Sequence, residues 1–565
     1  MEKVRNEYYN WLQHCIDPEL VLELNTIKYD QQKVFEQFSE ELKFGTGGMR
    51  GILGVGPNRM NIYTIRRITK AFALFLKKKN ESKKIVIGFD SRKNSKRFAY
   101  EAADVLLACG FEPFIFSEII PTPIVSFVVR EFCCAGGIMV TASHNAAFYN
   151  GFKVFGPFGT QLKDADTNTI SKIAQTVPFF FGIDLAGRTI KTVPSFLIDD
   201  YFKVVRSFLS LTPLDFRLVY TPLNGVGNKP VKNVLSFVND LLIVPEQEAP
   251  DSEFKTCKLP NPEDLSAWKL ALKLAQQKHA QLVLATDPDC DRIGVAERNG
   301  NNYHLFSGND IGVLLLDYLC KKKKIHTHAA PFVIKSIVTT NMVEAIAKKY
   351  GLTVYSTLTG FKNICGKMDE LAAANMLDGF VLAFEESFGY LCGTHARDKD
   401  GVLAAALVCE MAGVYYKNKE TLLKRLERLY EELGFYLSFA ESFVFEGAGA
   451  MEQISKIMQR LRAGAMQNLA GLKVIRILDY KLSKEIFPAK AEKPIDVPYS
   501  DVLIFYLEEQ TQVIVRPSGT EPKLKLYYLV VAKDVVAATA KSNCLKRQMK
   551  EIIGICEKGI VKRGL

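Results

Sequence analysis

Residues 137–145 read GIMVTASHN, an apolar run that stops at a polar turn. Such a run predicts a buried strand that brings its loop to the edge of a sheet, where open α/β folds keep their ligand sites. The turn carries the hydroxyl of Ser143, the imidazole of His144 and the amide of Asn145. Because serine and asparagine are also ordinary turn formers, this segment alone leaves a structural and a functional role open.

Strands and helices alternate on both sides of this segment. Apolar runs that end at polar turns predict strands at residues 84–90, 112–116, 216–222, 282–286, 332–334, 353–356 and 379–384. Helical spacing of apolar residues between them predicts helices, among them residues 64–79, 96–109 and 341–350. This alternation indicates three wound α/β units of similar plan, after a helical lead-in that ends near Phe38.

The last part of the chain has a different order. Helices predicted near residues 422–433 and 451–462 precede strands predicted at residues 502–507, 512–515 and 525–531. Segregated helices and strands indicate an α+β domain. Since single cores stop growing near about 250–300 residues, a chain of 565 residues should fold as about three to five domains.

The composition is that of a globular protein, with 48% hydrophobic and 24% charged residues. The formal charge of +11 would attract polyanions, but the basic residues form short runs without interleaved aromatics, so we predict no nucleic-acid partner. The N-terminal residues are polar and no apolar segment is long enough to span a bilayer, so we predict neither a secretory signal nor a membrane partner. The 12 scattered cysteines lack metal-binding spacing and suit reduced thiols in a cytoplasmic protein.

Three carboxylates follow one predicted strand, at the alternate positions Asp287, Asp289 and Asp291. This density of negative charge would be self-repelling without a cation, so a hard divalent ion is the simplest explanation. An EF-hand is excluded, because Arg292 and Arg298 occupy the positions where that loop needs glycine and glutamate. An aspartyl-phosphate phosphatase, with an aspartate as nucleophile, and a solvated acidic turn remain alternatives.

Other loops carry groups suited to a sugar phosphate. Residues 516–522 read RPSGTEP and offer a guanidinium, two hydroxyls and a glycine-freed backbone that would grip a phosphate, although a capped turn uses the same residues. Glu385 and Ser387 end a predicted strand, where they would accept from sugar hydroxyls or cap a helix. The glycine-dense loop at residues 44–51 carries Arg50 and would let its backbone approach an anion. Taken together, these parts describe phosphoryl transfer onto a sugar.

In these motifs the sequence resembles the α-D-phosphohexomutase superfamily, and most closely its long branch containing phosphoglucomutase and phosphopentomutase. The motifs occur in order across nearly the whole chain: TASHN at residues 141–145, DPDCDR at 287–292, EES at 385–387 with DKDG at 398–401, and RPSGTEP at 516–522. Ala146 and Cys290 depart from the usual pattern, which has proline and a small residue there. Both positions shape the backbone rather than bind ligands, so the implied chemistry is unaffected.

The resemblance implies an α/β fold of four domains around a central cleft, three of them similar mixed α/β sandwich units and the last a C-terminal α+β domain. We expect an N-terminal lead-in and phosphoserine domain at residues 1–210 and a metal-binding domain at residues 211–307. A sugar-binding domain at residues 308–435 and a phosphate-binding C-terminal domain at residues 436–565 would follow. Ser143, carried as phosphoserine, would give its phosphate to a sugar 1-phosphate and form a bisphosphate that turns over in the cleft.

The resemblance also implies residue roles. Mg²⁺ is expected on the three aspartates and on an oxygen of the phosphorylated Ser143, where it would neutralise charge on the transferring group. Arg50, Arg292 and Lys153 would add positive charge around that group. His144 and Lys153 are expected to move protons at the sugar hydroxyl, for which Lys153 needs a lowered pKa.

The substrate-binding residues implied by the resemblance come from three parts of the chain. Lys362 follows Gly360 at a spacing that completes no Walker motif, and we expect it to contact substrate instead. Glu385 and Ser387 would recognise the sugar. The complete expected set is Arg292, Lys362, Glu385, Ser387, Arg516, Ser518, Gly519 and Thr520, of which the last four would hold the phosphate that is not being transferred.

We therefore expect phosphoglucomutase activity, the interconversion of glucose 1-phosphate and glucose 6-phosphate, with glucose 1,6-bisphosphate as catalytic activator. Phosphopentomutase, phosphomannomutase and glucose-1,6-bisphosphate synthase activities share the fold and motifs and stay open. A non-catalytic sugar-phosphate-binding protein is a more distant alternative. The expected partners are small-molecule sugar phosphates, and the expected assembly is a monomer or a homodimer.

Overall fold

A computed structural model describes residues 2–45, 48–79, 82–185, 187, 189–322, 330–447, 449–464, 466–488, 492–518 and 522–554. The chain divides into two compact units. The first unit combines Met1–Gly308 with Gly360–Lys419, and the second unit combines Asn309–Thr359 with Glu420–Leu565. The serine turn, the three aspartates and Glu385 all belong to the first unit.

Three helices lead into the first sheet, as the apolar spacing predicts. They are α1 (Glu2–His14), α2 (Pro18–Ile27) and α3 (Gln31–Phe38). Asp17 and Asp30 cap α2 and α3, because each carboxylate accepts a backbone N–H at the start of its helix. Trp11 is fully buried with its ring edge-on to Phe38 and Tyr63, so the lead-in shares one core with the domain that follows.

That domain contains a seven-stranded sheet. Its strands are β1 (Phe44–Gly45), β2 (Gly48–Ile52), β3 (Lys84–Phe89), β4 (Glu112–Ile115), β5 (Gly136–Val140), β6 (Tyr149–Phe155) and β7 (Lys191–Thr192), in the order β1-β2-β6-β5-β3-β4-β7. Its helices are α4 (Ile62–Leu76), α5 (Ser95–Ala108), α6 (Thr122–Glu131), α7 (Asp164–Thr176) and α8 (Ser195–Ser207). Every residue of β5 is buried, and β5 runs parallel to β3 and antiparallel to β6, which confirms a strand directly before the serine turn.

The glycine-dense segment at residues 44–51 is not the loop that the sequence predicts. Where it is described it forms β1 and β2, and β2 pairs with β6, while Thr46 and Gly47 lie outside the described residues. A Cβ at Gly48 would lie 2.1 Å from the carbonyl oxygen of Phe152. Glycine is therefore needed at position 48 for close packing of two strands, and the approach of this segment to an anion stays a prediction.

The next domain of the first unit is built on a five-stranded sheet. Its strands are β8 (Leu214–Thr221), β9 (Val238–Ile243), β10 (Leu282–Thr286), β11 (Ile293–Asn299) and β12 (Asn302–Leu305), in the order β12-β11-β10-β8-β9. The helices are α9 (Asn228–Val234), α10 (Pro245–Glu248) and α11 (Lys269–Lys278), with a 3₁₀ turn at Leu265–Trp268. β10 runs parallel to β8 and antiparallel to β11, so the acidic segment at residues 287–292 is the turn between β10 and β11.

Between residues 308 and 419 the chain passes through both units. The stretch in the second unit contains α12 (Gly308–Lys322), β13 (Phe332–Ser336), α13 (Met342–Tyr350) and β14 (Thr353–Thr357), with β13 parallel to β14. The stretch that returns to the first unit contains α14 (Phe361–Ala373), β15 (Phe380–Glu385), β16 (Gly389–Leu391) and α15 (Gly401–Lys417). A tight antiparallel hairpin pairs Glu385 with Gly389, so the EES motif forms the turn between β15 and β16.

The C-terminal part of the second unit has the predicted α+β order. Its helices are α16 (Leu422–Leu433), α17 (Ala450–Ala463) and α18 (Val535–Ile553). Its strands are β17 (Phe435–Val444), β18 (Asn468–Leu469), β19 (Leu472–Asp479), β20 (Lys484–Ile486), β21 (Lys493–Pro494), β22 (Leu503–Leu507), β23 (Gln512–Pro517) and β24 (Lys523–Ala532). β17, β24, β23, β22 and β19 are neighbours in an antiparallel sheet, whose core includes Phe505, Val513 and Leu545.

The α/β class with a C-terminal α+β part is thus confirmed. The four domain boundaries and the central cleft that the resemblance implies remain predictions. In the part of the chain that the structure describes, no helix has both the length and the apolar character to cross a bilayer.

Candidate active site

The serine loop, residues 141–149, connects β5 to β6 and presents Ser143 at the end of a buried strand. Ser143 has a left-handed backbone with φ 51°, and its N–H donates to Thr141 Oγ1 at 2.8 Å. Its Oγ donates to Asp287 Oδ2 at 2.8 Å and lies 3.2 Å from His144 Nδ1. The predicted nucleophile is therefore in contact with the predicted metal loop, 144 residues further along the chain.

The aspartate loop, residues 287–292, gathers its three carboxylates at one point. One oxygen from each of the residues Asp287, Asp289 and Asp291 lies within 4.8 Å of the others, and all three side chains are buried. Asp287 Oδ1 accepts the backbone N–H groups of Asp291 and Arg292, which fixes the turn. Among the described residues, Asp289 Oδ1 and Asp291 Oδ1 are buried without a hydrogen bond. Clustered carboxylate oxygens with unused acceptor capacity fit a hard divalent cation.

Two lysines from other parts of the first unit contact these carboxylates. Lys153 on β6 donates to Asp289 Oδ2 at 2.7 Å and to Asp291 Oδ2 at 3.0 Å. Lys399, in the DKDG motif that follows β16, lies 3.3 Å from Asp291 Oδ2 and 3.2 Å from Asp398 Oδ1. The aspartate loop thus contacts two lysine side chains that come from two segments distant in sequence.

Burial and these cations act in opposite directions on the three carboxyl groups. Burial, together with the charges of Asp289 and Asp291, raises the pKa of Asp287 well above its usual range. Burial also favours a higher pKa for Asp289 and Asp291, but the surrounding cations and hydrogen bonds, Lys153 foremost among the cations, hold the pKa of both below the usual range. The three carboxyl groups therefore differ in acidity, with the pKa of Asp287 raised and the pKa of the other two lowered, as is typical of carboxyl groups that share one site.

Lys153 does not have the lowered pKa that a role as a base would need. Burial would lower the pKa of Lys153, but the charges of Asp289 and Asp291 outweigh it and raise that pKa above the usual lysine range. His144 behaves differently, because burial and the charges of nearby arginines lower its pKa well below the ordinary imidazole value. At neutral pH the imidazole of His144 is thus uncharged and able to accept a proton, whereas Lys153 is a fixed positive charge.

The predicted arginines of this site are in place around the two loops. Arg50 on β2 is exposed and donates from Nη1 to Asn145 Oδ1 at 2.9 Å. Arg292 donates from Nη1 to Glu263 Oε1 at 2.7 Å, and its Nε lies 3.9 Å from Asp291 Oδ1. Both guanidinium groups therefore adjoin the loops that carry Ser143 and the aspartates.

The sugar-binding residues expected in this part of the chain are also in the first unit. Glu385 is buried at the end of β15 and Ser387 is half-buried in the β15–β16 turn. Burial raises the pKa of Glu385 to about 7, against the opposing charge of Lys399. Lys362, the second residue of α14, forms an ion pair with the exposed carboxylate of Asp164. A carboxyl group that titrates near neutrality is a common feature of functional sites.

The expected phosphate-binding residues lie in the second unit. Arg516 is half-buried on β23 opposite Lys525 of β24, and the N–H of Ser518 donates to the carbonyl of Lys523 at 2.7 Å. Gly519 and Thr520 lie outside the described residues. The motif thus sits at the turn between two strands, as its sequence predicts.

Sequence reasoning assigned no role to three residues that the structure brings to the site. Lys399 belongs to the DKDG motif, and its Nζ lies 3.3 Å from Asp291 Oδ2. Thr122, at the start of α6, donates from Oγ1 to Asp289 Oδ2 at 2.7 Å. Arg92, whose position after a predicted strand was the only available signal, contacts the main chain of the serine loop. These contacts join residues far apart in sequence, which no local pattern reveals.

In this site a serine lies beside a carboxylate cluster that fits a cation, and both lie at the ends of strands in α/β sheets. This is the arrangement of a phosphotransfer enzyme. Comparison with known proteins agrees. The chain matches the family models described as Phosphoglucomutase/phosphomannomutase, alpha/beta/alpha domain I over residues 41–179, domain II over residues 199–300 and domain III over residues 307–433.

Curated relatives match along most of their length. The chain is 36% identical over 536 residues to a phosphoglucomutase of Staphylococcus haemolyticus, covering 92% of this chain and 95% of the relative. It is 34% identical over 531 residues to a phosphoglucomutase of Staphylococcus aureus (strain MRSA252), again covering 92% and 95%. The chain therefore belongs to the α-D-phosphohexomutase superfamily, in its phosphoglucomutase branch. Membership in this family makes it a phosphotransferase of the mutase type.

A solved structure shows the same fold. It is a phosphoglucomutase/phosphomannomutase family protein from Burkholderia thailandensis, which superimposes with a TM-score of 0.68 at 18% identity and covers 90% of this chain and 97% of its own. At this identity the likeness concerns the fold alone.

Proposed function

We propose that this protein is a phosphoglucomutase that interconverts glucose 1-phosphate and glucose 6-phosphate through a phosphoserine at Ser143. The observation that carries the proposal is the 2.8 Å hydrogen bond from Ser143 Oγ to Asp287 Oδ2, because it joins a nucleophilic hydroxyl to a cluster of buried carboxylates. The two curated relatives at 34–36% identity bear the name phosphoglucomutase, which supports glucose phosphates as substrates.

The donor set of the aspartate loop fits Mg²⁺. Asp287, Asp289 and Asp291 supply oxygens within reach of one another, and two of their buried oxygens have no hydrogen bond among the described residues. We assign these three carboxylates, with an oxygen of the phosphorylated Ser143, as the residues that would hold the ion. When bound, Mg²⁺ supplies positive charge that stabilises the transferring phosphoryl group.

The chain's own residues account for the remaining steps of the proposed reaction. The phosphate on Ser143 passes to the free hydroxyl of the sugar monophosphate, so that the bond from Ser143 Oγ to phosphorus breaks and a sugar bisphosphate forms. The bisphosphate then returns its other phosphate to Ser143. We assign proton transfer at the sugar hydroxyl to His144, which is neutral, and charge neutralisation to Lys153 and Arg50, which remain cationic.

Substrate binding is proposed for the same residues that the sequence suggests. Glu385 and Ser387 would accept from and donate to sugar hydroxyls, and Arg292 and Lys362 would contact phosphate oxygens. Arg516 and Ser518, with Gly519 and Thr520, would hold the phosphate that is not transferred. Glucose 1,6-bisphosphate would activate the enzyme by phosphorylating Ser143. A cytoplasmic location and a monomeric or homodimeric assembly remain predictions from the sequence.

A substrate panel tests the proposal. The purified protein, with Mg²⁺ and a trace of glucose 1,6-bisphosphate, is given the 1-phosphates of glucose, mannose, ribose and deoxyribose in turn, with a Ser143→Ala variant as matched control. We expect the largest kcat/KM with glucose 1-phosphate and no turnover by the variant. Preference for a pentose or for mannose 1-phosphate would assign phosphopentomutase or phosphomannomutase activity instead. Net formation of bisphosphate from an acyl phosphate or a second sugar phosphate would assign the synthase activity.

A further inference from the structure

Arg92 makes more contacts with the serine loop than any predicted site residue. It follows β3 directly, and its side chain is completely buried. Its Nη1 donates to the carbonyl oxygens of Ala146 at 2.9 Å and Tyr149 at 3.2 Å. Its Nη2 donates to the carbonyl oxygens of Ser143 and Asn145. One guanidinium group thus binds the main chain of the serine loop at four points.

The guanidinium is itself fixed in place from the strand on which it lies. Arg92 Nε is 3.2 Å from Asp90 Oδ2, and both side chains are fully buried. Asp90 Oδ1 accepts from the N–H of Arg92 and from Ser95 Oγ, and the N–H of Asp90 donates to the carbonyl of Val140. Because Val140 is the last residue of β5, this network ties the loop after β3 to the strand that delivers Ser143.

The loop needs such an anchor. Ser143 holds a left-handed backbone with φ 51°, a conformation that costs a residue with a Cβ free energy and persists only where the surroundings impose it. Ala142 and His144 on either side offer main-chain groups but no large apolar side chain that would fix the turn by packing. Four donors from a single rigid guanidinium supply the missing constraint.

We propose that Arg92 is a positioning residue for phosphoryl transfer, which holds Ser143 Oγ in line with the aspartate loop without touching the reacting atoms. The inference rests on the proposed role of Ser143 as phosphate carrier. A lysine at position 92 would keep the ion pair with Asp90, but its single ammonium cannot donate to four carbonyl oxygens in fixed directions. Misplacement of a reacting atom by about 1 Å can cost about a hundredfold in rate.

The test compares Arg92→Lys and Arg92→Ala with a matched arginine. Arg67 is suitable, because its buried guanidinium also donates to a backbone carbonyl, that of Ala174, and pairs with a carboxylate, that of Glu41, but contacts no part of the serine loop. Each protein is loaded with Mg²⁺ and mixed with glucose 1,6-bisphosphate in single turnover, and the phosphate on Ser143 is followed by intact-protein mass spectrometry. Steady-state kcat and KM for glucose 1-phosphate, and Tm, are measured in parallel.

We expect Arg92→Lys to slow phosphorylation of Ser143 and to lower kcat, each by about a hundredfold, while KM for glucose 1-phosphate changes by less than about threefold. Arg67→Lys should also lower Tm and should leave the phosphorylation rate within about threefold of wild type. Added methylguanidinium should restore part of the rate of Arg92→Ala and none of the rate of Arg67→Ala. If Arg92→Ala does not fold, the lysine pair alone decides.

Three results would overturn the inference, and the first two leave the proposed function intact. If the wild-type protein and Arg92→Lys are phosphorylated on Ser143 at the same rate, the inference is overturned and the proposed function stays intact. Losses of kcat in Arg92→Lys and Arg67→Lys that simply follow their losses in Tm would do the same. A wild-type protein that never carries phosphate on Ser143 would instead overturn the proposed function, and the positioning role with it.

Discussion

The serine loop and the aspartate loop share a local plan but differ in what binds their side chains. Each follows a fully buried strand, β5 or β10, and each contains a residue with a side chain at positive φ, Ser143 at 51° and Cys290 at 53°. The serine loop is bound through its main chain by Arg92, which leaves its side chains available. The aspartate loop is bound through its main chain by the N–H groups of Thr122 and Val226, and in addition through its carboxylates, by cations and by Thr122 Oγ1.

The contacts of the serine loop therefore set the position of Ser143, whereas the contacts of the aspartate carboxylates balance their negative charge. In the serine loop Arg92 fixes the main chain, so changes to Arg92 should alter transfer rates with little effect on cation binding by the three aspartates. In the aspartate loop the carboxylates interact with whatever neutralises them, so changes there should alter cation affinity and stability together. Substitutions in the two loops should therefore have different signatures.

The largest effect is expected from Ser143→Ala. Loss of the nucleophile should lower turnover of glucose 1-phosphate by at least about 10⁴-fold, because Ser143 Oγ is the hydroxyl that contacts the aspartate loop. The hydrogen bonds of Ser143 Oγ to Asp287 and to His144 are lost, so the free energy of unfolding should fall by about 1–2 kcal/mol. A coupled assay and urea denaturation measure the two quantities. Residual activity within about tenfold of wild type would contradict the role of Ser143.

Asp287→Asn should weaken Mg²⁺ binding strongly and should change stability little when Mg²⁺ is absent. Burial raises the pKa of Asp287, which shows that the charged carboxylate is costly at this position, so an uncharged asparagine of the same shape should change Tm without Mg²⁺ little. The amide is a weaker ligand than a carboxylate, so Mg²⁺ affinity should fall by about a hundredfold and activity with it. Thermal denaturation with and without Mg²⁺ measures this. A variant whose Tm still rises with Mg²⁺ as in wild type would show that the ion does not use Asp287.

Glu385 should make the binding of glucose 1-phosphate depend on pH. Its pKa of about 7 means that the carboxylate, the form that accepts two sugar hydroxyls, is lost as the pH falls below about 7. We expect KM for glucose 1-phosphate to rise by about tenfold between pH 8 and pH 6, beyond the change caused by the substrate phosphate itself. Glu385→Gln should raise KM at pH 8 and remove this additional dependence. An unchanged pH profile in the variant would exclude Glu385 from sugar binding.

The smallest effect is expected from Thr122→Val, which removes the hydrogen bond to Asp289 Oδ2 and keeps the shape of the side chain. Groups that orient a metal ligand typically contribute about 10–100-fold in affinity, so Mg²⁺ binding should weaken by about tenfold. Thr122→Ser, which retains the hydroxyl, should bind Mg²⁺ nearly as wild type does. Calorimetric titration with Mg²⁺ distinguishes them, and equal affinity in both variants would show that Thr122 does not orient Asp289.

Much of this organisation could be predicted from the sequence, because strands and their turns are local patterns. The apolar runs before Ser143 and Asp287 predicted β5 and β10, and the alternating aspartates predicted a cation site. The contacts between these loops could not be predicted, since Lys153 reaches Asp289 across 136 residues of sequence. The segment at residues 44–51 was misread because glycine favours both loops and closely packed strands.

The raised pKa of Lys153 could not be predicted from the sequence either. The family resemblance implied proton transfer by Lys153, but only the folded structure places it beside two carboxylates that raise its pKa. Arg92 lies in the turn after a predicted strand, which a wound sheet brings to the same edge as Ser143, but the sequence does not show that it binds the serine loop. Residues whose function depends on charges or carbonyl groups from distant segments carry no local signal.

The phosphorylation state of Ser143 tests the central claim most directly. The protein is incubated with Mg²⁺ and glucose 1,6-bisphosphate, and its intact mass and phosphopeptides are determined before and after addition of glucose 6-phosphate. We predict one phosphate on Ser143 that is removed by the sugar monophosphate as bisphosphate forms, and none on a Ser143→Ala variant. A phosphate on Asp287, Asp289 or Asp291, or a wild-type protein that remains unphosphorylated, would contradict the account.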